Sequence, residues 1–203
     1  MRWRSTTEDW GAVAKLLHWA MAVCIMLMIA MGITMRWFLG GNLALQYTAY
    51  QLHKSFGFTL LLLAVGRLLW RLSAKAVPAA PDAAKPHERW LANGVHAALY
   101  IAMFGMPISG LLATSASPLN VPTVIFDLFT LPRPIGPNAA LATLFSGIHF
   151  WLACLLVVSL TLHVAGAIWH MAVLHDGVLQ RMIPRGRGSI SAANSPASPP
   201  RPS

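Results

Sequence analysis

Residues 149–170 read H-F-W-L-A-C-L-L-V-V-S-L-T-L-H-V-A-G-A-I-W-H, twenty-two positions with no formal charge and three histidines. A run this long and apolar crosses a bilayer as one helix, for which about 20 residues suffice. His149 and His163 are fourteen residues apart, which at about 100° per residue leaves them only some 40° apart around the helix axis. Along the axis they are separated by roughly 21 Å. One helix face therefore carries two imidazoles, one towards each side of the membrane. A polar side chain is costly to keep inside a membrane, so such residues are functional candidates by default. Two of them at stacked depths predict a pair of cofactors, one per leaflet, and hence a di-haem electron-transfer helix.

The rest of the chain reads as a frame for that helix. Only 10% of its 203 residues are charged and 56% are hydrophobic, whereas a soluble domain carries about 25% charged residues. Apolar runs predict spans at about 16–35, 50–72, 90–116 and 148–174, with a kink at Pro107. The first is too long for a signal-peptide core and lacks a convincing cleavage site, so it reads as a retained helix. The expected fold is all-α, a transmembrane four-helix bundle forming one domain over residues 1–185. The Ser, Pro, Ala and Arg-rich stretch 186–203 reads as a disordered tail. Residues 117–146 form the longest connection, and their segment V-P-T-V-I-F-D-L-F-T-L-P suits either the membrane surface or a cover over a cofactor.

A net charge of +9 would suit a nucleic-acid partner if the basic residues formed a patch. They instead flank the apolar runs, so no nucleic-acid partner is expected. Arg2, Arg4, Lys15, Arg67, Arg71, Lys75, Lys85, Arg89, Arg181, Arg185, Arg187 and Arg201 fall on one side of the four spans. Arg36, Lys54 and Arg133 fall on the other. The positive-inside rule then places both termini in the cytoplasm, with lipid as the surrounding partner. Cys24 and Cys154 sit inside apolar runs, so a disulfide is not expected, and the absence of C-x-x-C-H argues against covalent haem attachment.

Ordered by depth, the histidines form two pairs. His53 and His149 lie at the outer ends of the second and fourth spans, and His18 and His163 lie towards the cytoplasmic side. A bis-histidine haem takes one imidazole from each of two facing helices, and helix bundles commonly build such sites. The four therefore read as axial ligands of haem iron, paired His53 with His149 and His18 with His163. Gly57 and Gly166, each about one turn from a ligand, would let a flat macrocycle approach. Lys54, Arg67 and Arg71 are candidate propionate partners, although basic residues near span ends also snorkel. Trp19 and Trp151 read as interface-belt residues, and His87 and His175 as surface residues. His96 and His170 remain, and are candidates for a polar quinone pocket beside the inner haem, where proton delivery is needed. By depth alone His170 could replace His163 as the partner of His18.

Several segments, in order and spacing, resemble the bacterial cytochrome b561 family. They are K-L-L-H-W in the first span, L-H-K-S-F-G and G-R-L-L-W-R-L in the second, and H-A-A-L-Y with P-I-S-G in the third. The fourth contributes H-F-W-L-A and L-H-V-A-G, followed by L-Q-R-M-I-P. The resemblance covers about residues 7–185. It implies a multi-pass cytochrome of the bacterial inner membrane with two b haems, exchanging electrons between a donor and ubiquinone or another quinone. The ligands of the family pattern fall on His18, His53, His149 and His163. The donor it allows is a small anion such as superoxide or a protein, so the chain is expected to act as an electron-transfer oxidoreductase. The alternatives are a cytochrome b subunit of a larger quinone-linked oxidoreductase and, in a different class, a histidine-based metal-ion transporter. Against the transporter, no Asp or Glu falls within the expected spans.

Overall fold

Four helices carry the chain back and forth in the computed structural model, which describes residues 2–76, 78 and 85–183. The stretch expected to be a disordered tail lies outside the described residues. The helices are α1 (Ala12–Trp37), α2 (Leu43–Leu72), α3 (Pro86–Ala116) and α4 (Ala139–Trp169). A short π-helical turn, His170–Leu174, continues α4. With 26 to 31 residues each, they measure about 39–47 Å, longer than the roughly 30 Å of bilayer hydrocarbon.

That excess explains why every helix begins before its expected span. Hydropathy marks the part that crosses lipid, whereas capping marks where the helix starts. Asn42 and Asn138 each accept a hydrogen bond from the backbone N–H three residues on, at 3.0 Å from Leu45 and 3.1 Å from Leu141. This is the N-cap arrangement that satisfies an otherwise orphaned donor. At the start of α3, Pro86 occupies the first turn and the Glu88 carboxylate accepts from the Lys85 N–H at 3.0 Å. Further along, α3 runs on through Pro107.

Consecutive helices pack side by side, α3 and α4 most extensively. The core consists of Met21, Cys24 and Ile25 from α1, Leu60 and Ala64 from α2, Ala102 and Met103 from α3, and Leu156 from α4. Leu156 is seven residues from both His149 and His163, so the core occupies the middle level of the bundle. Elsewhere the helices face outward: in the most apolar stretch of each, only 11–22% of residues are buried. Apolar side chains directed away from the bundle at all four helices are what a lipid solvent requires. The chain is a multi-pass membrane protein. Cys24 and Cys154 are both free thiols.

The long connection before α4 folds as a hairpin. Strands β1 (Thr123–Ile125) and β2 (Phe129–Leu131) pair antiparallel, Val124 opposite Thr130. Its turn places Phe126 and Asp127 at φ 47° and 57°, which is unusual for a bulky residue such as Phe. Contacts from α2 hold it there. The Ser55 hydroxyl accepts from the Phe126 N–H at 3.0 Å, and the Phe126 ring stands edge-on to Phe56 with centres 5.3 Å apart. Gln51 adds two bonds, donating to the Pro122 carbonyl at 3.0 Å and accepting from the Val124 N–H at 3.3 Å. Of the two placements open to this segment, the hairpin is seated on α2 beside His53.

At the opposite end the two ends of the described chain are tied together. The Trp19 indole donates to the Met182 carbonyl at 2.9 Å, and Lys15 reaches Asp9 at 3.0 Å and the Ile183 carbonyl at 3.5 Å. Lys15 is 5% exposed, so a residue that reads as a topology marker is also a buried clasp.

Candidate functional site

The four histidines of the two expected pairs meet as those pairs. His18 of α1 and His163 of α4 stand with ring centres 6.1 Å apart and planes inclined at 58°. His53 of α2 and His149 of α4 stand 6.4 Å apart with planes at 68°. Two imidazoles that each bind one metal ion through nitrogen, at about 2 Å, have ring centres roughly 6 Å apart. Both separations fit a shared ion and are too long for a hydrogen bond between the rings. The pairs also join helices that are not close backbone neighbours, α1 to α4 and α2 to α4. Such a spread suits a flat group between two ligands better than close helix packing would.

The surroundings of the two pairs differ. At the His53 and His149 end, α3 approaches His149 closely. His149 Nδ1 lies 3.0 Å from the Met106 carbonyl and 3.2 Å from the Ser109 hydroxyl. His53 Nδ1, by contrast, is buried and has no hydrogen-bond partner among the described residues. Lys54 donates to the Pro122 carbonyl at 3.0 Å, so it already serves the hairpin. Arg133 bonds the Ser115 and Ser117 carbonyls at the end of α3, while Arg36 stacks over Trp37 at 5.7 Å.

At the other end a third imidazole joins the pair. His96 of α3 stands edge-on to His163, ring centres 5.2 Å apart, with its Nδ1 held 2.6 Å from the Ala92 carbonyl. The Arg67 guanidinium is within electrostatic reach of both His18 and His163. Arg71, one turn further along α2, is exposed. His170 is turned to the chain that follows it, 2.5 Å from the Asp176 carboxylate. The π-helical turn makes this possible, since His175 then adopts a left-handed conformation at φ 51° and redirects the backbone. His87 and His175 are exposed, as expected of surface residues.

The two glycines expected to admit a macrocycle stand in open surroundings. A side chain on Gly166 would meet nothing within 4 Å, and one on Gly57 would meet only the end of Met28 at 3.6 Å. Two glycines of α3 are crowded by α4. A Cβ on Gly105 would lie 2.9 Å from Leu152, and one on Gly110 would lie 3.2 Å from the His149 ring. Reading small residues only within the ligand helices missed these, because the close approach comes from the neighbouring helix. Tyr100, one turn beyond His96, was missed as well; its hydroxyl is buried and without a partner among the described residues. The same residues contain no cluster of three or more His, Cys, Asp or Glu suited to a metal ion.

Comparison with known proteins adds three findings. Residues 9–185 match the family model for prokaryotic cytochrome b561. The chain is 31% identical over 186 residues to cytochrome b561 homolog 2 of Escherichia coli (strain K12), covering 90% of this chain and 95% of the relative. It is 29% identical over 137 residues to a probable superoxide oxidase CybB of Yersinia pestis, covering 68% of this chain and 76% of the relative.

Proposed function

The chain belongs to the prokaryotic cytochrome b561 family, and on that premise we propose that it carries electrons across the membrane through two b-type haems. Membership implies b-type haem. The number of two, and the pairs His53 with His149 and His18 with His163 as axial ligands, are our reading. The observation that carries it is the pair of imidazole contacts of 6.1 and 6.4 Å at two levels of one helix. The donor chemistry fits: neutral imidazole is a usual axial ligand of haem iron, and two of them leave no open position for oxygen.

Bound in this way, haem supplies reversible one-electron transfer. The protein's residues supply position, insulation and protons. α4 holds His149 and His163 about 21 Å apart along its axis, and the apolar core around Leu156 keeps water from the space between. Arg67 offers a positive charge to propionates at the His18 and His163 end, with Arg71 further out. Lys54 offers one at the other end.

The basic residues at the α1 start, the α2–α3 connection and the C-terminal side support the cytoplasmic inner membrane, with His18 and His163 towards the cytoplasm. The quinone would be reduced there. His96, beside His163, and His170, bonded to Asp176, are the polar groups placed to deliver protons. At the outer face a small anion or a protein would donate. The relative named as a probable superoxide oxidase favours superoxide. Two superoxide anions would each give up one electron and leave as dioxygen, and one quinone would take both electrons with two protons.

Haem content and optical spectra of the purified protein test this reading. Two low-spin b haems per chain are expected, falling to one in His149→Ala and to one in His163→Ala. Two haems retained in either variant would overturn the ligand assignment.

A further inference from the structure

The P-I-S-G segment of α3, residues 107–110, faces His149 with three separate features. The Met106 carbonyl, just before it, lies 3.0 Å from His149 Nδ1. The Ser109 hydroxyl lies 3.2 Å from the same nitrogen and also donates to the Met106 carbonyl at 3.0 Å. A Cβ on Gly110 would lie 3.2 Å from His149 Cε1 and 3.3 Å from Nδ1, tighter than ordinary contact. Ser109 is 4% exposed, so its hydroxyl works in an apolar setting where each hydrogen bond counts for more.

A carbonyl oxygen can only accept. His149 Nδ1 must therefore carry the hydrogen, which leaves Nε2 as the lone-pair nitrogen. We propose that Met106, Ser109 and Gly110 of α3 position His149, fixing the tautomer that can bind iron and making this ligand more electron-donating than its partner His53. The inference rests on the proposed function, because it concerns how an axial ligand is tuned. Hydrogen bonds donated from the far nitrogen of a metal-bound imidazole fix its orientation and raise its basicity. The partner, His53, has a buried Nδ1 without any acceptor among the described residues. The two ligands of the pair are thus unequal, and the inequality originates on a helix that supplies neither of them.

The sign follows from the chemistry. A more electron-donating ligand stabilises the ferric state and lowers the reduction potential. Loss of the Ser109 acceptor should therefore raise the potential of this haem and leave the other where it was. The electrochemical effect is distinct from a packing role, which would change stability or haem content without moving one potential selectively.

The experiment is a potentiometric titration of the full-length holoprotein, followed by its optical spectrum, with haem content measured alongside. Ser109→Ala should keep two haems and shift the ferric/ferrous equilibrium of one of them at least about threefold towards ferrous. That is roughly 28 mV at 59 mV per decade for one electron. Ser109→Cys, close in size but a weak acceptor, should shift the same haem in the same direction, and replaces the Ala variant if that fails to accumulate. Gly110→Ala pushes on the ring itself and should weaken binding of this haem by about tenfold or more. Unchanged potentials, a downward shift, or equal shifts of both haems in the Ser109 variants would overturn the proposal. The underlying reading fails separately, by a wild-type protein without haem or by a His149→Ala variant that keeps two.

Discussion

His96 stands edge-on to His163, their ring centres 5.2 Å apart, although the two residues come from different helices and only one belongs to an imidazole pair. His96 Nδ1 is committed to the Ala92 carbonyl, so its other nitrogen remains for a ligand or a proton. Beside a redox pair, that is the arrangement a proton-coupled acceptor such as a quinone needs. His96→Ala should therefore leave two haems and slow quinone reduction by about a hundredfold or more, the lower end of what a lost acid–base group typically costs. His170→Ala should likewise spare both haems. Loss of a haem from His170→Ala would mean that it, and not His163, is the ligand.

Asp176 and His170 form a second test at the same end. Burial raises the Asp176 carboxyl, but hydrogen bonds from His170 and the Val178 N–H outweigh it and hold the group below its ordinary value. A depressed carboxylate contributes stability above its unfolded value of about 3.9 and loses it as pH falls through the folded one. Asp176→Asn should lower the Tm near neutral pH by about 1–4 °C. The gap between variant and wild type should close as pH drops below about 4. A gap that stayed constant from neutral to acid pH would refute the bonds to the Asp176 carboxylate as its origin.

The hairpin over α2 makes a stability prediction. Ser55 is 1% exposed and accepts from the Phe126 N–H. Ser55→Ala strands that donor, which costs about 1–3 kcal/mol when no water can replace the hydroxyl. Limited proteolysis between β1 and β2 should become faster while haem content at the His18 and His163 end is retained. Equal cleavage rates in variant and wild type would show that the hairpin is held by something other than this bond.

Charge at the outer face can be tested by ionic strength. Lys54 bonds the Pro122 carbonyl and follows His53 directly in α2. If superoxide or another small anion is the donor, its reaction should slow as salt screens that charge, with a screening length of about 10 Å at 0.1 M. Lys54→Met should slow it further at low salt, by a few-fold. A rate indifferent to both changes would remove electrostatic steering from the account.

Much of the site was legible before any coordinates. Period alone placed His149 and His163 on one face of α4, and depth matched His149 to His53; for His18 depth left His163 and His170 open, and the structure sets His163 beside it while His170 turns to Asp176. The pairings depend on one-dimensional quantities, rise per residue and distance from the membrane edge, which a sequence carries directly. The helix starts were less legible. Hydropathy reports the lipid-facing length, whereas Asn42 and Asn138 extend α2 and α4 by local hydrogen bonds. The hairpin at 123–131 was hidden for a related reason: Phe126 adopts its strained turn only because Ser55 and Phe56, some seventy positions earlier, hold it there.

The amino-acid sequence by itself determined the number of helices long and apolar enough to cross a membrane, the shared face of His149 and His163, and the order of the histidines by depth. These follow from the bilayer's thickness and the helix's pitch, which are the same for every chain. What only the tertiary structure decided is which groups touch those histidines from other helices. Ser109 against His149, His96 against His163 and the turning of His170 towards Asp176 depend on how α3, α4 and the following turn are rotated and spaced. That rotation is set by side-chain packing summed over the whole bundle, and no local period encodes it.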